Sequence, residues 1–178
     1  NFYLDILKNN SFCAAAVTMP YKEYFFKKTI KLDKVTKYAK TVNLIIKKNK
    51  KVYGFNTDVL GALKSIPKNL NKILIIGQGG TGRALLNVLF NVNKKNKFYI
   101  ITSKKNYLNR LGKLKNKHKR ILTFSKLNTS LLNFPNLIIN CTPLGSDLKK
   151  SFTNQSPIKE RYFKNLKKKT LIFDVVYK

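Results

Sequence analysis

Ile73-Leu74-Ile75-Ile76-Gly77-Gln78-Gly79-Gly80-Thr81-Gly82-Arg83 joins a short apolar run to a glycine-rich turn. The run reads as a parallel strand buried on both faces, because such strands lack the polar alternation of a half-exposed one. Thr81 to Val92 then predicts a helix and Lys97 to Thr102 the next strand, so the stretch is a βαβ unit. Glycine in the turn lets the backbone bend tightly and lets a pyrophosphate come close. The following helix offers free N–H groups and the positive end of its dipole. In this strand–turn–helix setting, the spacing of Gly77, Gly79, Gly80 and Gly82 is a dinucleotide fingerprint. Gly77, Gln78, Gly79, Gly80, Thr81 and Gly82 are therefore the expected cofactor-binding turn.

Upstream, residues 1–12 read as the end of a helix and Phe12 to Val17 as a short buried strand. Pro20 opens a helix that continues from Tyr21 to Lys28, since its missing N–H costs nothing in a first turn. Ile30 to Tyr38 is a second helical pattern. Thr41 to Lys47 and Lys51 to Gly54 pair as strands around Lys48-Asn49-Lys50, and Asp58 to Ile66 is a helix closed by Pro67. Downstream, Asn106 to Lys117 predicts a basic helix. Arg120 to Phe124, Leu137 to Asn140 and Leu171 to Val176 predict strands. Helices alternate with short apolar strands, so the class is α/β with parallel sheets. A boundary is expected near residues 58–68. It separates a substrate-binding part over 1–58 from a Rossmann-like, NADP-binding domain with a parallel sheet over 59–178.

The 178 residues carry a net charge of +30, and 43% of them are apolar, the share of a folded protein. Such a charge fits a polyanionic partner. Against that, only Arg83, Arg110, Arg120 and Arg161 are arginines; the other basic residues are lysines, and asparagine is abundant. Specific phosphate and base recognition favours the arginine fork. Lys, Asn, Ile, Phe and Tyr together are what an AT-rich coding sequence yields. The charge is therefore assigned to composition, and no specific nucleic-acid partner is expected. In so basic a background the carboxylates are the informative residues: Asp5, Glu23, Asp33, Asp58, Asp147, Glu160 and Asp174. Cys13 and Cys141 are too few for a disulfide framework and read as buried thiols of a reducing cytoplasm. No apolar run approaches about 18 residues, so no membrane segment is expected, and no metal site is read. No signal-peptide pattern opens the chain. With Asn rather than Met at residue 1, the expectation is a fragment or a processed product.

Val17-Thr18-Met19-Pro20-Tyr21-Lys22-Glu23 and Gly54-Phe55-Asn56-Thr57-Asp58 carry the chemistry. A lysine held beside a carboxylate in an apolar cleft delivers a proton to a carbonyl oxygen as hydride reaches its carbon. Lys22 and Asp58 are the expected acid–base pair. The single histidine, His118, lies in Lys117-His118-Lys119, an expected exposed loop, and is set aside. The strand after the glycine turn ends Ile101-Thr102-Ser103-Lys104-Lys105, with no carboxylate to hold a ribose 2′-hydroxyl. Hydroxyl and ammonium groups suit a 2′-phosphate, so Thr102, Ser103 and Lys104 favour NADP over NAD.

With these motifs in this order, the chain resembles the shikimate dehydrogenase family, the shikimate and quinate dehydrogenases. The family's Asn-Val-Thr-x-Pro-aromatic-Lys-Glu pattern is similar to Ala16 through Glu23, and its Ala-Val-Asn-Thr segment to Thr41-Val42-Asn43-Leu44. Its Asn-Thr-Asp-Gly segment is similar to Asn56-Thr57-Asp58-Val59, and its glycine turn ending in Arg-Ala to Gly77 through Ala84. Its Asn-x-Thr-x-x-Gly loop resembles Asn140 through Gly145, and its late Asp-x-x-Tyr resembles Asp174 through Tyr177. The resemblance implies reduction of 3-dehydroshikimate to shikimate with NADPH, on the route to chorismate and the aromatic amino acids. It implies Lys22 and Asp58 as the catalytic pair, with Thr18, Asn43 and Tyr177 beside them on the ring acid. It also implies Thr142 and the backbone of Val175 as cofactor contacts. Ala16 stands where the family has a substrate-contacting Asn, and Leu44 and Val59 replace Thr and Gly. Thr102-Ser103-Lys104 replaces the family's Asn-Arg-Thr, keeping a charge without the planar fork. The family's first strand, with its paired serines, and its closing helix, with a ring-contacting Gln, fall outside residues 1–178. The substrate-binding part is thus expected to be incomplete, truncated at both ends.

The expected arrangement is a cleft between the two parts, with the cofactor on the glycine-turn side and the small-molecule substrate against Lys22 and Asp58. Quinate or an aminoshikimate is the alternative substrate, and a non-catalytic nucleotide-binding relative the alternative class. Retention of both Lys22 and Asp58 in a lysine- and asparagine-rich chain favours catalysis. Homodimerisation is left open.

Overall fold

Strand pairing sorts the chain into two sheets. The computed structural model describes residues 2–102 and 120–176. The chain divides into two units, residues 1–65 with 83–92, and residues 66–82 with 93–178.

The first unit runs through helix α1 (Phe2–Lys8), strand β1 (Ala14–Ala16), helices α2 (Lys22–Lys28) and α3 (Lys34–Ala39), strands β2 (Leu44–Lys48) and β3 (Lys51–Phe55), and helix α4 (Thr57–Ser65). β1 pairs with β2 and β2 with β3, both antiparallel. The β2–β3 hairpin is the strand pair expected around Lys48-Asn49-Lys50, and its antiparallel sense follows from the chain. Connection length is the reason: only Asn49 and Lys50 separate β2 from β3, whereas a parallel neighbour needs a crossover of about a dozen residues. Both turn residues have positive φ, 50° at Asn49 and 56° at Lys50, which matches the twist of the strands they join.

Other elements shift for identifiable reasons. α2 begins at Lys22, not Pro20, because the N–H of Tyr21 first bonds the carbonyl of Thr18 at 2.9 Å and that turn uses up residues 18–21. The Met19–Pro20 peptide is cis. The helix expected from Ile30 starts only at Lys34, where the Asp33 side chain caps it by accepting the Thr36 N–H at 2.7 Å. Ile30 is bonded to β3 instead: its N–H reaches Val52 O at 2.9 Å, and its carbonyl accepts from Gly54 at 2.8 Å. β1 is less buried than its composition implies. Ala14 and Ala16 are exposed while Ala15 packs on the core, since successive strand residues face opposite sides. Cys13, just before this edge strand, is exposed as well, which corrects the expectation of a buried thiol.

The core of this unit is Ile6, Val17, Phe25, Val42, Ile45 and Val52. Fully burying a side chain of this size contributes about 1.5–3 kcal/mol. Two lysines close helix ends beside it. Lys47 Nζ donates to the carbonyls of Ile6, Leu7 and Asn9 at 3.1, 2.7 and 2.8 Å. Lys31 Nζ donates to those of Phe26 and Thr29 at 2.7 and 2.6 Å. A cation there meets both the last-turn carbonyls and the negative end of the helix dipole.

The second unit holds strands β4 (Lys72–Ile76), β5 (Lys97–Ile101), β6 (Ile121–Phe124), β7 (Leu137–Asn140) and β8 (Leu171–Asp174). Helix α5 (Gly80–Val92) starts here, helix α6 (Thr129–Leu132) precedes β7, and a 3-10 helix (Glu160–Asn165) precedes β8. The sheet order is β6-β5-β4-β7-β8, all parallel. All four residues of β7 and four of the five in β4 are buried, as the apolar run implies. The chain steps outward from β4 through β5 to β6, then returns to place β7 on the other flank of β4. The connections therefore part between β4 and β7, where ligands bind outside the carboxyl ends of open parallel sheets. α6 and the 3-10 helix, four and six residues long, are too short to leave a readable period. Leu131 and Leu132 nonetheless bury with Leu74, Ile76, Ile101, Ile138 and Ile158. The helix predicted over 106–117, and His118, lie outside the described residues. No helix among the described residues is long and apolar enough to cross a membrane.

Candidate active site

Asn56 decides where the first unit presents its carboxylate. It is 4% exposed. Its Nδ2 donates to Thr41 Oγ1 at 2.8 Å and to the Thr41 carbonyl at 3.1 Å, and its own N–H reaches Thr36 Oγ1 at 2.8 Å. Its Oδ1 accepts the Val59 N–H at 3.0 Å, the bond by which an asparagine starts a helix. α4 therefore begins at a fixed point, with Thr57 and Asp58 in its first turn.

Asp58 faces two donors. Lys22 Nζ lies 2.8 Å from Oδ2, and Asn43 Nδ2 lies 2.7 Å from Oδ1. Asn43 is held in turn by Thr57, whose N–H and Oγ1 reach its Oδ1 at 2.8 and 3.2 Å. The backbone fixes both donors: Val42 N–H bonds the Lys22 carbonyl at 3.0 Å, and Asn43 N–H bonds the Phe55 carbonyl at 2.9 Å. The Lys22 side chain is 24% exposed and that of Asp58 46%, so the ammonium is oriented yet within reach of a ligand. A pair this exposed adds about 1 kcal/mol or less to stability; its value lies in geometry. Glu23, the other carboxylate beside Lys22 in sequence, is engaged with Arg83 Nη2 at 2.7 Å. Thr57 and Asn56 were not among the expected site residues. The signal for them was the Asn-Thr-Asp order, a helix-start pattern. Thr18 is exposed and is not drawn into this network among the described residues; Tyr177 lies outside them.

In the second unit the glycines of the turn differ in what demands them. Gly77 has φ +94°, and a Cβ on it would stand 2.9 Å from the carbonyl carbon and oxygen of Cys141. A Cβ on Gly82 would strike the carbonyl oxygen of Gly77. Among the described residues, nothing lies within 4 Å of a Cβ at Gly79 or Gly80. The first two are required by the fold, while the second two leave open space beside the backbone at the start of α5, where phosphates bind. Gln78 is 2% exposed; its Nε2 donates to the Gly77 carbonyl at 3.3 Å, and its buried Oε1 has no partner among the described residues. Buried acceptors are nearly always satisfied, so this one fits a donor from a ligand or a water. Thr81 lies in the first turn of α5. The residues present therefore fit a dinucleotide.

The other residues expected to contact the cofactor spread along the strand ends. Thr102 follows β5 and is 5% exposed; Ser103 and Lys104 lie outside the described residues. Thr142 follows β7, its Cγ2 within 3.0 Å of a Cβ placed on Gly77. Val175 follows β8, and its N–H bonds the Asn140 carbonyl at 3.1 Å. Among the described residues, no cluster of His, Cys, Asp and Glu could hold a metal ion.

Cys141 sits between the ends of β4 and β7, its N–H on the Ile76 carbonyl at 2.8 Å. Burial, and secondarily the Asp174 carboxylate, pushes its thiol up to about 12. The thiolate is the reactive form, so Cys141 is expected to resist alkylation at pH 8 and still at pH 10, whereas exposed Cys13 reacts. Mass-spectrometric counting of a maleimide label on the folded and urea-unfolded protein checks this. A single label on Cys13 that becomes two on unfolding is the expected result, and early labelling of Cys141 would contradict it.

No protein-family model matches the chain. Among curated proteins, the shikimate dehydrogenase (NADP(+)) of Prochlorococcus marinus (strain MIT 9215) is 29% identical over 184 residues, covering 98% of this chain and 63% of that protein. The shikimate dehydrogenase (NADP(+)) of Clostridium botulinum (strain Loch Maree / Type A3) is 31% identical over 183 residues, covering 99% of this chain and 66% of that one. The chain thus spans about three fifths to two thirds of the length of the curated relatives it matches. The fold recurs in shikimate 5-dehydrogenase from Thermus thermophilus, solved with NADP(H) and shikimate, at a TM-score of 0.72 and 19% identity over 97% of this chain and 61% of that chain. It recurs in quinate dehydrogenase from Corynebacterium glutamicum, solved with NAD, at a TM-score of 0.76 and 19% identity over 99% and 63%.

Proposed function

The chain belongs to the shikimate dehydrogenase family, and from that membership we propose that it serves as the cytoplasmic, NADP-dependent enzyme that interconverts 3-dehydroshikimate and shikimate in aromatic amino-acid biosynthesis. The observation that carries this reading is the contact of Lys22 Nζ with Asp58 Oδ2 at 2.8 Å, set by Asn43 and Thr57. Shikimate is favoured over quinate because the curated relatives above are shikimate dehydrogenases.

Reducing a ring ketone needs a proton for the oxygen. The Lys22 ammonium is the donor in that direction, and its amine accepts the hydroxyl proton in the other. Asp58 aims the ammonium and, with Asn43, supplies acceptors and a donor for neighbouring ring hydroxyls. Thr18 and Tyr177 complete the grip on the ring acid. On this reading the first unit, residues 1–65 with 83–92, carries the substrate-binding part, and the second, residues 66–82 with 93–178, the dinucleotide-binding domain. Gly77 to Gly82 hold the pyrophosphate. Thr102, Ser103 and Lys104 hold the 2′-phosphate, and Thr142 and the Val175 backbone hold the nicotinamide side. When bound, the nicotinamide supplies or accepts the hydride.

The test is turnover of the full-length protein with NADP⁺ or NAD⁺ and shikimate or quinate, followed by nicotinamide absorbance. Shikimate with NADP⁺ is the expected best pair. Failure with both acids while NADP⁺ still binds would replace this reading with a non-catalytic nucleotide-binding relative.

A further inference from the structure

Asn140 and Asp174 have no role in the mechanism above, yet they close a polar network of the second unit. They are register partners at the carboxyl ends of the adjacent parallel strands β7 and β8. Asn140 is 3% exposed. Its Nδ2 donates to both carboxylate oxygens of Asp174, at 3.0 and 3.2 Å. A carboxylate only accepts, so the amide has one permitted orientation, with Oδ1 turned the other way. That oxygen accepts from the N–H and the hydroxyl of Thr142 at 2.9 and 2.7 Å. Thr142 Oγ1 accepts in turn from the Leu144 N–H at 3.3 Å. Asp174 Oδ1 also accepts the Val176 N–H at 2.9 Å. One amide thereby fixes the loop after β7 and the chain after β8 together.

Position gives this network its meaning. In a parallel sheet of this order, the adenosine ribose belongs at the end of β5 and the pyrophosphate at the start of α5. The other half of a dinucleotide must then extend to the opposite side of β4, over the ends of β7 and β8. We propose that Asp174 and Asn140 are a positioning couple that presets Thr142 and the main chain at Val175 for the nicotinamide half of the cofactor. This rests on the dinucleotide reading given above. An asparagine at 174 could turn its NH₂ toward Asn140, allow that amide to flip, and release the Thr142 hydroxyl. The preset geometry, and the affinity that preorganisation gives, would go with it.

Equilibrium binding of NADP⁺ and of 2′,5′-ADP to the full-length protein, to Asp174→Asn and to Asn140→Ala tests the couple. The fragment carries the adenosine and 2′-phosphate but no nicotinamide, so it reports whether the sheet and glycine turn are intact. The expected result is NADP⁺ affinity lowered by about 10–100-fold, the range for losing a hydrogen bond to a charged group, with 2′,5′-ADP affinity unchanged. Equal weakening of both ligands in both variants would make the couple merely structural, and no weakening of either would remove it; each result overturns the proposal. If the unaltered protein binds neither ligand, the dinucleotide reading itself fails and takes this one with it.

Discussion

Lys22→Ala is expected to lower shikimate turnover by about 10²–10⁴-fold, the usual contribution of a positioned proton donor. Dinucleotide affinity should be preserved, since Gly77 to Gly82 are untouched. The fold should survive, because the ion pair with Asp58 is partly exposed on both sides and contributes about 1 kcal/mol or less. A loss of several orders in rate thus cannot come from unfolding. Lys22→Arg sharpens the test: it keeps the cation but scarcely releases a proton, so it should be nearly as inactive as the alanine variant. Steady-state rates with each variant, alongside NADP⁺ binding, decide the matter. Turnover within a few-fold of the unaltered protein in Lys22→Ala would remove Lys22 from the chemistry and leave Asp58 without its proposed partner.

Gly77→Ala is expected to be the most damaging single methyl in the glycine turn. At φ +94° an L side chain costs about 1–2 kcal/mol. The new Cβ would also stand 2.9 Å from two backbone atoms of Cys141. Those atoms leave β7 and cannot swing aside as a side chain would; forced overpacking of this kind costs about 1–3 kcal/mol. Together these terms are a large share of the roughly 5–15 kcal/mol that holds a typical domain. The urea midpoint should fall clearly and NADP⁺ binding should be lost. Gly61→Ala is the control: it lies inside α4 with nothing among the described residues within 4 Å of the new methyl, and a helical alanine there should be neutral or stabilising by up to about 1 kcal/mol. An unchanged midpoint in Gly77→Ala would mean that the turn adopts another path than the one described.

Much of this is legible in the sequence. Ile73 to Ile76 declare a buried parallel strand because four consecutive apolar residues have no polar face to show. Lys22 and Asp58 can be nominated as partners from their motifs, and the structure sets them 2.8 Å apart. What escapes is information that exists only after pairing. Ile30 looks helical from its neighbours, but hydrogen bonds to Val52 and Gly54 pull it onto β3. Cys13 looks buried from its small apolar company, yet an edge strand leaves its start open. Asn140 and Asp174 meet only because β7 and β8 run in parallel register, and no local pattern announces a pair so far apart in sequence. Asn56 and Thr57 are visible as letters, while their task of setting the first turn of α4 is not.

The turn between β4 and α5 also offers a way to read decay in distant relatives. Gly77 and Gly82 are held by collisions within the chain itself, so a descendant that had given up its cofactor would keep them or fall apart. Among the described residues no atom would meet a side chain at Gly79 or Gly80; if the turn holds a nucleotide, the occupant of the adjacent space is what would forbid one there. A lineage that stopped binding nucleotides should lose glycine at 79 and 80 first, while the outer pair persists as a fossil of the fold. This chain carries glycine at all four positions, the pattern expected of a turn that binds a nucleotide.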